Sequence, residues 1–325
     1  MNICFVYVDL STFVERDLEI LRKHFNVKPV KWTTFWDFKM ILSLIRAILT
    51  SDLCFIWFAD FHAAFTVLLS KIFRKKSIIV TGGYDVLKMP EINYGIRLRW
   101  NRHYASFALK NADICLAFSK SSEEDLKKWI RNARTKTVYL GGIDLKKFSC
   151  YTKKDDKLVI TVAKVTWSNV LRKGLKTFVE CAKYLPEVKF VLVGKVLDDS
   201  IEYLKKLASG NVEFVGDEKL LDYYQKAKVY VQVSAHEGFG VALAEAMACE
   251  CIPVVTNRGA IPEVVGDVGY YVPYGDPKAT AEAVKKALES DQSKGKMARE
   301  RIKKYFSIER REKELVGIVK QVLES

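Results

Sequence analysis

The chain has 325 residues, of which 49% are hydrophobic and 28% charged, and it carries a formal net charge of +14. This composition excludes an intrinsically disordered chain, and the length allows two domains with separate cores. Residues 1–150 contain 24 Lys and Arg against 14 Asp and Glu, whereas residues 151–325 contain 29 against 25. An anionic partner such as a lipid headgroup, a phosphorylated acceptor or nucleic acid would explain the basic first half, and so would general solubility.

The first half alternates short apolar, β-branched runs with segments of helical period. The predicted strands are "NICFVYVD", "VKPVKW", "LCFIWFA", "SIIVTGG", "ADICLAFS" and "TKTVYLGG". The predicted helices are "TFVERDLEILRKHF", "FWDFKMILSLIRAIL", "HAAFTVLLSKIFRK", "YGIRLRWNRHYASFALKNA" and "SSEEDLKKWIRN". Several strands are apolar on both faces, which is typical of a parallel sheet covered by helices on both sides.

The same alternation begins again after the polar stretch "SCYTKKDDK". The predicted strands are "LVITVAK", "KFVLVGK", "VEFVG", "VYVQVSA", "CIPVVT" and "GYYVP", and the helices are "GLKTFVECAKYL", "SIEYLKKLA", "KLLDYYQKA", "GVALAEAMAC" and "PKATAEAVKKALES". We predict an α/β fold of two Rossmann-like, doubly wound domains, residues 1–149 and 150–306, facing each other across a cleft. A last helix, about residues 307–325, is expected to pack back on the first domain.

Neither a membrane span nor a signal peptide is predicted. The N-terminal "MNICFVYVDL" has no basic region before its apolar run and is expected to be a strand. The apolar segment "LCFIWFADFHAAFTVLLSKIF" contains Asp60 and His62, which are costly in hydrocarbon, so a strand and a buried helix explain it better. Seven cysteines without metal-type spacing, mostly in apolar runs, fit a reducing compartment.

The turn "SAHEGFGVALAE" follows a predicted strand and begins a helix near Gly240. Ligands of doubly wound sheets bind outside the carboxyl ends of the strands, and the N–H groups at a helix N-terminus attract anions. Glu245 lies within reach of a ribose if phosphates bind there, and Glu237 within reach of the group beyond. From the residues alone, an acid favoured by the helix dipole and a solvated helix residue explain these glutamates equally well.

Two further turns hold residues suited to binding. In "VAKVTWSNVLRKGLKTF", Lys164 ends a strand, and Arg172 and Lys173 stand just before a helix that begins at Gly174, so these cations suit a diphosphate. In "VTGGYDVLKMPE", Gly82 and Gly83 allow close approach to the backbone beside Asp85. A solvated basic loop and an ordinary Asp-capped turn are the alternative explanations.

Together these segments resemble a retaining glycosyltransferase of family 4, which has the two-domain GT-B fold. "YLGGIDLKKF" is similar to the family's Asn-Gly-Val-Asp-x-x-x-Phe segment, and "RKGLKTFVECAKYLPEVKFVLVG" to its Lys-Gly donor-phosphate segment. "VEFVGDEKLLDYYQKAKVYVQVSAHEGFGVALAEAMAC" is similar to the stretch that ends in paired glutamates, and "GAIPEVVGDVGYYVPYGDP" to the region after it. The resemblance covers nearly the whole chain and is strongest from Leu140 to Pro277.

The resemblance implies hexosyl transfer from a nucleotide-diphosphate sugar, UDP- or GDP-linked, with retention at the anomeric carbon and with no cofactor or required metal. Lys173, with Lys164 or Arg172, would bind the diphosphate, Glu245 the ribose hydroxyls, and Glu237 the donor sugar near the reacting carbon. The donor is also expected to contact His236 and the backbone of four residues of the turn, Gly238, Phe239, Gly240 and Val241.

The chain departs from the family pattern in three places. Its first strand-to-helix turn, "YVDLSTFVERD", lacks the glycine-rich loop of many members. The fourth strand ends in "TGGYD" where many members carry a histidine, so Asp85 is the candidate substitute as a catalytic group. Lys164 stands where an arginine often occurs, and the loop after it is longer.

The first domain of a GT-B enzyme generally receives the acceptor, expected here to be a lipid-linked or surface glycan. The candidate acceptor-side residues are Gly82, Gly83, Asp85, Arg99 and Arg102. A basic and aromatic helix, "YGIRLRWNRHY", and the apolar "FWDFKMILSLIRAIL" suggest contact with an anionic membrane or a lipid phosphate. The alternative is that the apolar helix only covers the core. A cytoplasmic location, peripheral to the membrane, is expected.

Three other functions are considered. A nucleotide-sugar epimerase of the GT-B type is the nearest rival, and product analysis separates it because an epimerase needs no acceptor. A dinucleotide-dependent oxidoreductase is disfavoured because Leu243 replaces the third glycine of the fingerprint. A nucleic-acid-binding protein would explain the charge but not two Rossmann-like domains, and no nucleic-acid partner is expected.

Overall fold

A computed structural model describes residues 1–324 of the chain. In this range twelve strands form two sheets of six, and every pairing between strands is parallel. The strands are β1 Asn2–Tyr7, β2 Asn26–Lys31, β3 Leu53–Trp57, β4 Lys76–Thr81, β5 Ile114–Ala117, β6 Thr135–Thr137, β7 Asp155–Val162, β8 Lys189–Val193, β9 Val212–Val215, β10 Ala227–Gln232, β11 Ile252–Thr256 and β12 Tyr270–Val272.

Helices connect these strands. They are α1 Thr12–His24, α2 Phe38–Leu49, α3 Phe61–Ile72, α4 Arg102–Asn111, α5 Lys120–Trp129, α6 Trp167–Arg172, α7 Leu175–Cys181, α8 Ser200–Leu207, α9 Leu220–Lys226, α10 Val241–Ala248, α11 Ile261–Val265, α12 Pro277–Glu289, α13 Ser293–Phe306 and α14 Ile308–Glu324. Single 3₁₀ turns occur at Pro90–Ile92, Ile96–Leu98 and Ala182–Tyr184.

The chain divides into two compact units, the first formed by Met1–Gly142 with the chain from Glu309 onward, and the second by Ile143–Ile308. The first unit's sheet has the order β2-β1-β3-β4-β5-β6. All five residues of β3 are buried, as expected for a strand covered on both faces. One face packs on α2, α3, α4 and α5, whose buried side chains share one core.

The second unit's sheet has the order β12-β11-β10-β7-β8-β9. Counted from its first strand, this is the 3-2-1-4-5-6 order of a Rossmann sheet, read from the opposite edge. All residues of β10 and β11 are buried, because helices cover this sheet on both sides as well. The predicted α/β class with two doubly wound, Rossmann-like sheets is confirmed.

The units meet along the chain at 142/143, seven residues before the boundary that the sequence analysis placed at 149/150. The segment after residue 142 bonds to the second unit. Ile143 N–H donates to the carbonyl of Phe306, and the Arg299 guanidinium donates to the carbonyls of Leu145 and Phe148.

Helix α14 belongs to the first unit, where one arginine anchors it. Arg311 is 2% exposed and donates to both carboxylate oxygens of Asp17 on α1, at 3.0 and 2.7 Å. The same guanidinium donates to the carbonyls of Val138 and Tyr139. A guanidinium has five N–H donors, and four of those of Arg311 are used here. Arg311 therefore fixes α14 against α1 and the segment after β6.

The structure differs from the sequence analysis in several elements. Helix α4 begins at Arg102 and not near Tyr94, because Gly95 adopts a φ of +111° and lies against the carbonyl of Leu87. Three helices were not predicted at all, namely α6, α11 and α13. Within residues 1–324, no helix has both the length and the apolar character to cross a bilayer.

Candidate active site

The second unit has its topological switch point between β7 and β10, the two neighbouring strands from which the sheet order runs in opposite directions. Ligands of doubly wound sheets bind outside the carboxyl ends of the strands at this point. The turn after β7 contains Lys164, Arg172 and Lys173, and the turn after β10 contains Glu237. The two turns proposed from the sequence therefore emerge side by side.

The turn after β7 contains the short helix α6, which folds the basic residues back toward the strand. Thr166 caps α6 by accepting from the N–H of Asn169. The Asn169 side chain donates to the carbonyl of Lys164 at 2.7 Å and accepts from the Arg172 guanidinium at 2.5 Å. The Lys164 side chain itself is exposed. Asn169 thus holds the two ends of the basic turn together.

Gly174 brings this turn against the end of β10. Its φ is +68°, and a Cβ at this position would lie 2.1 Å from the carbonyl oxygen of Val233. Any side chain would therefore force the two turns apart. The carbonyl of Arg172 also accepts from the N–H of Ala235 at 2.8 Å. These two contacts place Lys173 beside the residues that follow β10.

Lys173 and Glu237 form an ion pair at the centre of the site. The Lys173 ammonium donates to Oε1 of Glu237, and the hydroxyl of Ser234 donates to the same oxygen at 2.9 Å. Glu237 is buried, and the Lys173 side chain is largely buried. Within residues 1–324, both hydrogen bonds of this carboxylate fall on Oε1, so Oε2 is the oxygen with accepting capacity left.

Burial and the charge of the partner have opposite effects on the pKa values of Glu237 and Lys173. Burial raises the pKa of Glu237, but the positive charges of Lys173 and Arg172 and the hydrogen bonds from Lys173 and Ser234 outweigh it, and the pKa is lowered. Burial also lowers the pKa of Lys173, and the nearby Arg172 adds to that effect while Glu237 opposes it. Glu237 is therefore a carboxylate at neutral pH and can only accept hydrogen bonds.

The turn between Glu237 and α10 is tightly packed. Gly240 precedes α10 with a φ of +93°, and the Phe239 side chain is buried against Phe306, with ring centroids 5.3 Å apart. Only the backbone of Phe239 is thus placed for a ligand. Gly259 packs on the other side, since a Cβ there would lie 2.5 Å from the carbonyl oxygen of Glu237 and 3.2 Å from the His236 ring.

Glu245 is half-buried on the second turn of α10, where the hydroxyl of buried Tyr224 donates to its Oε2 at 3.3 Å. Tyr230, also buried, donates to the Gln232 side chain at 3.0 Å. Burial raises the pKa of Tyr230 well above its usual value, and the charges of both Glu237 and Glu245 add to this. Both glutamates therefore lie near one buried phenol.

The candidate residues of the first unit have structural contacts. A Cβ on Gly82 would lie 2.9 Å from Phe118, so this glycine is required for packing. Asp85 is buried and accepts hydrogen bonds from four donors, which are the N–H groups of Ala59, Gly82 and Gly83 and the hydroxyl of Thr81. Burial raises the pKa of Asp85, while these four hydrogen bonds oppose the rise.

Arg99 and Arg102 lie on the surface of the first unit. Arg99 donates to the carbonyl of Asn93 at 3.3 Å, and Arg102 is the first residue of α4. Both side chains are exposed.

Sequence reasoning missed three residues that organise the site. Ser234 and Asn169 position the ion pair and the basic turn, and Tyr224 holds Glu245. The Thr166-x-x-Asn169 spacing resembles a helix cap and could have indicated α6. The partnership of Tyr224 with Glu245 has no local signal, because it depends on how α9 and α10 pack.

Comparisons with known proteins add the family. The family model described as glycosyl transferases group 1 matches residues 143–305, half of the chain. Of the curated relatives, N-acetyl-alpha-D-glucosaminyl L-malate synthase of Bacillus anthracis is 26% identical over 80% of this chain and 72% of that protein. The N,N'-diacetylbacillosaminyl-diphospho-undecaprenol alpha-1,3-N-acetylgalactosaminyltransferase of Campylobacter jejuni is 28% identical over 49% of this chain and 46% of that protein. Another match spans only 20% of its relative's length.

Among solved structures, the Anabaena protein HepE in complex with UDP covers 99% of this chain and 100% of its own, with a TM-score of 0.82 and 16% sequence identity. This likeness extends the GT-B fold to the whole chain. Because the family model covers the unit that holds the ion pair and α10, the chain belongs to the glycosyl transferases group 1 family.

Proposed function

We propose that the protein is a retaining, family 4-like hexosyltransferase that moves a sugar from a nucleotide-diphosphate donor, UDP- or GDP-linked, to an acceptor hydroxyl. The observation that carries this proposal is the Lys173–Glu237 ion pair at the switch point of a Rossmann sheet. It supplies a cation for the diphosphate and a carboxylate for the sugar within one contact. The Anabaena relative in complex with UDP supports a uridine nucleotide.

In this proposal Lys173 binds the diphosphate, assisted by Arg172 and Lys164. An ammonium has three donors, and Glu237 takes one of those of Lys173. The other two are available for phosphate oxygens. As the bond between the anomeric carbon and the phosphate oxygen breaks, negative charge grows on the diphosphate, and a fixed cation stabilises that charge. Desolvation of Lys173 strengthens this attraction.

Glu237 contacts the donor sugar. Its Oε1 is occupied by Lys173 and Ser234, so Oε2 accepts from a sugar hydroxyl near the reacting carbon. The lowered pKa keeps Glu237 ionised, which suits the stabilisation of positive charge on the sugar ring in the transition state. The acceptor oxygen attacks on the face from which the diphosphate leaves, and its proton passes to the departing phosphate oxygen.

Glu245 holds the ribose hydroxyls, and the backbone of residues 238–241, with His236, contacts the phosphates or the sugar. Tyr224 uses one oxygen of Glu245 and so fixes the rotamer of that carboxylate. Asp85 is left out of the catalytic set because four donors and its burial favour a structural role for it.

The transfer is proposed to need no metal or other cofactor. The cations of the turn after β7 are the groups available to the diphosphate.

The acceptor is proposed to be a lipid-linked or surface glycan, received by the first unit, with Arg99 and Arg102 on its surface. The undecaprenol-linked substrate in the name of the Campylobacter relative supports a lipid-linked acceptor. A cytoplasmic location is proposed with it, and the free thiols of all seven cysteines fit such a compartment. The family match favours transfer over an epimerase or a nucleic-acid-binding protein.

A thermal-shift panel of UDP, GDP and their hexose conjugates tests the donor site. A ligand at a hundred times its Kd should stabilise the protein by about 2.7 kcal/mol, and one base should stand out. Lys173→Ala should abolish this shift, whereas Lys195→Ala, which removes an exposed lysine of the same unit, should keep it. No stabilisation by any nucleotide, or an equal shift in both variants, would refute the site.

Product analysis then tests the reaction. With the donor that the panel identifies, the anomeric configuration of the transferred sugar is read by NMR, and retention is expected. Glu237→Gln should keep nucleotide binding and lose transfer. Conversion of the donor without any acceptor to an epimeric nucleotide sugar would identify an epimerase instead.

A further inference from the structure

Helix α2 is apolar on both its inner and its outer face. Met40, Leu44, Ala47 and Ile48 are buried in the first unit's core. Phe38, Leu42 and Leu49 are exposed, and with half-buried Ile45 they follow the i, i+4, i+7, i+11 spacing of a second stripe. Exposed large apolar side chains that lie together on a surface mark an interaction site. The position of α2 on the surface therefore calls for something that covers the outer stripe.

Helix α3, which packs beside α2, repeats the pattern. Phe61, Phe65, Leu68 and Ile72 have the same spacing. The first two are half-buried and also touch the core, and the last two are exposed. Helix α4 packs on the far side of α3 and presents Tyr104 and Phe107, preceded by Trp100 at the same helical spacing. We call the outward side chains of α2, α3 and α4, with Phe35, Trp36 and Trp100, the outer apolar face.

Ring contacts make this face continuous. Trp36 touches Phe35 at a centroid distance of 5.9 Å, and Phe35 touches Phe61 at 5.5 Å. Phe61 touches Tyr104 at 4.9 Å, and Tyr104 touches Trp100 at 6.1 Å. Trp36 and Trp100, at the two ends of this series of ring contacts, are 78% and 80% exposed. Phe38, close to Trp36 in sequence, is also 80% exposed. So many exposed large side chains in contact mark an interaction surface.

The charges around the face are of one sign. Helices α2, α3 and α4 contain no Asp or Glu, and their five Lys and Arg side chains are all exposed: Lys39, Arg46, Lys71, Arg102 and Lys110. The acids just before two of these helices serve as caps, Asp37 for α2 and Asp60 for α3. By contrast, α1 and α14 contain both acidic and basic residues. Within the part of the chain that the structure describes, these two helices contribute no residue to the core that α2, α3 and α4 cover.

We propose that the outer apolar face docks on an anionic lipid bilayer, with its aromatic side chains in the headgroup region and its cations on lipid phosphates. Exposed Trp and Phe beside Lys and Arg, without acids, is the composition of interfacial helices, because amphipathic rings and cationic heads both favour that layer. The proposal goes beyond sugar transfer, since it concerns where the protein binds.

A lipid surface fits these observations better than a protein partner. Self-association of this face would bring five cations of one copy against five of another without a compensating acid, which is unfavourable. An anionic bilayer neutralises all of them and adds affinity for each cation. Because the face is built from three helices packed on a sheet, docking needs no unfolding and no spanning segment.

Vesicle sedimentation tests the proposal. The full chain is mixed with vesicles of phosphatidylcholine alone or of phosphatidylcholine with phosphatidylglycerol. Binding is expected only to the anionic vesicles, and neutralising Lys39 and Arg46 to Gln should weaken it about fivefold for each charge. The matched control neutralises Lys313 and Lys320, exposed cations of α14, and should weaken it less.

A second variant isolates the apolar contribution. Trp36→Gln, Phe38→Gln and Leu42→Gln together should weaken vesicle binding by a factor on the order of a hundred. The control makes three equivalent changes on the second unit, at exposed Tyr151, Leu197 and Met297, and should leave binding unchanged. Both proteins should keep a cooperative urea unfolding transition in each unit, which shows that each is folded.

Three results would overturn the inference. The first is that anionic vesicles do not retain the native chain, and the second is that the two triple variants bind the vesicles equally. The third is a dimer in light scattering that the Trp36, Phe38 and Leu42 triple variant dissociates, while vesicles retain neither the native chain nor this variant. The third result would assign the face to a second copy of the chain. None of these needs the transfer reaction, so a failed nucleotide panel and a failed vesicle experiment are separate outcomes.

Discussion

Replacement of Lys173 by Met tests whether the ion pair with Glu237 organises the second unit. Within residues 1–324, the change leaves the buried carboxylate of Glu237 with the Ser234 hydroxyl as its hydrogen-bond partner, and with the charge of Arg172 nearby. Breaking a buried ion pair on one side costs about 3–5 kcal/mol. Because the Lys173 side chain keeps 21% of its exposure, solvent screens part of the charge, and we expect about 3 kcal/mol.

The reverse change, Glu237→Gln, should cost less. It leaves the ammonium of Lys173, which can turn toward water, so about 1 kcal/mol is expected. The double variant removes both charges. Its loss of unfolding free energy should be about 2 kcal/mol smaller than the losses of the two single variants added together. This coupling energy, and not either single loss, measures the ion pair.

Urea titration of the four proteins supplies these free energies, provided that the two units are observed separately. The sequence allows this, because Trp167 is the only tryptophan of residues 143–308 and the other five lie in the first unit. With fluorotryptophan incorporated, the fluorine NMR signal of Trp167 reports the second unit, and Trp167→Phe assigns it. A coupling energy below about 0.5 kcal/mol would refute the reasoning.

Three further predictions concern the same framework. Gly174→Ala should lower the free energy of unfolding by about 3 kcal/mol, because it combines a left-handed φ with a clash at Val233. The control Gly275→Ala, at a φ of +78° with no atom of residues 1–324 beyond its chain neighbours within 4 Å of the new Cβ, should lower it by about 1–2 kcal/mol. Equal losses in urea titration would contradict the close approach at Gly174. Arg311→Met should cost the first unit about 3–5 kcal/mol, because a buried carboxylate loses its partner; a loss under about 1 kcal/mol in the first-unit tryptophan signals would contradict it. The pKa of Glu237 is lower in the folded chain, so its stabilising contribution is complete above the ordinary value of about 4.3 and disappears as the pH falls through the lowered value. The melting temperature should therefore fall less steeply between pH 7 and about 3 for Glu237→Gln than for the native chain. The same dependence on pH in both proteins would contradict the lowered pKa.

The fold could be predicted because its strands are unambiguous. Runs such as "LCFIW" in β3 and "AKVYVQ" in β10 are fully buried, and a strand of such length, apolar on both faces, fits a doubly wound sheet. Helix α6 could not be predicted in the same way. It has six residues, too few to show a helical period, and side-chain hydrogen bonds of Asn169 with Lys164 and Arg172 hold it in place.

The ion pair was beyond sequence reasoning for a different reason. Lys173 and Glu237 were each assigned to the donor from the resemblance, but they lie 64 residues apart and no local pattern joins them. Their contact depends on a glycine, Gly174, which also looks like an ordinary helix start. Its necessity becomes visible only when the carbonyl of Val233 is placed 2.1 Å from the missing Cβ.

Helix α2 shows how far periodicity reaches on the surface. The sequence "FKMILSLIRAIL" contains two apolar stripes of equal regularity, and either could face the core. Packing decides the matter, because the stripe with Met40, Leu44 and Ile48 meets the sheet and the stripe with Phe38, Leu42 and Leu49 does not. An outward stripe without a lipid or protein partner would only expose apolar surface to water. The charge pattern indicates which partner, because cations without acids suit a surface of phosphates.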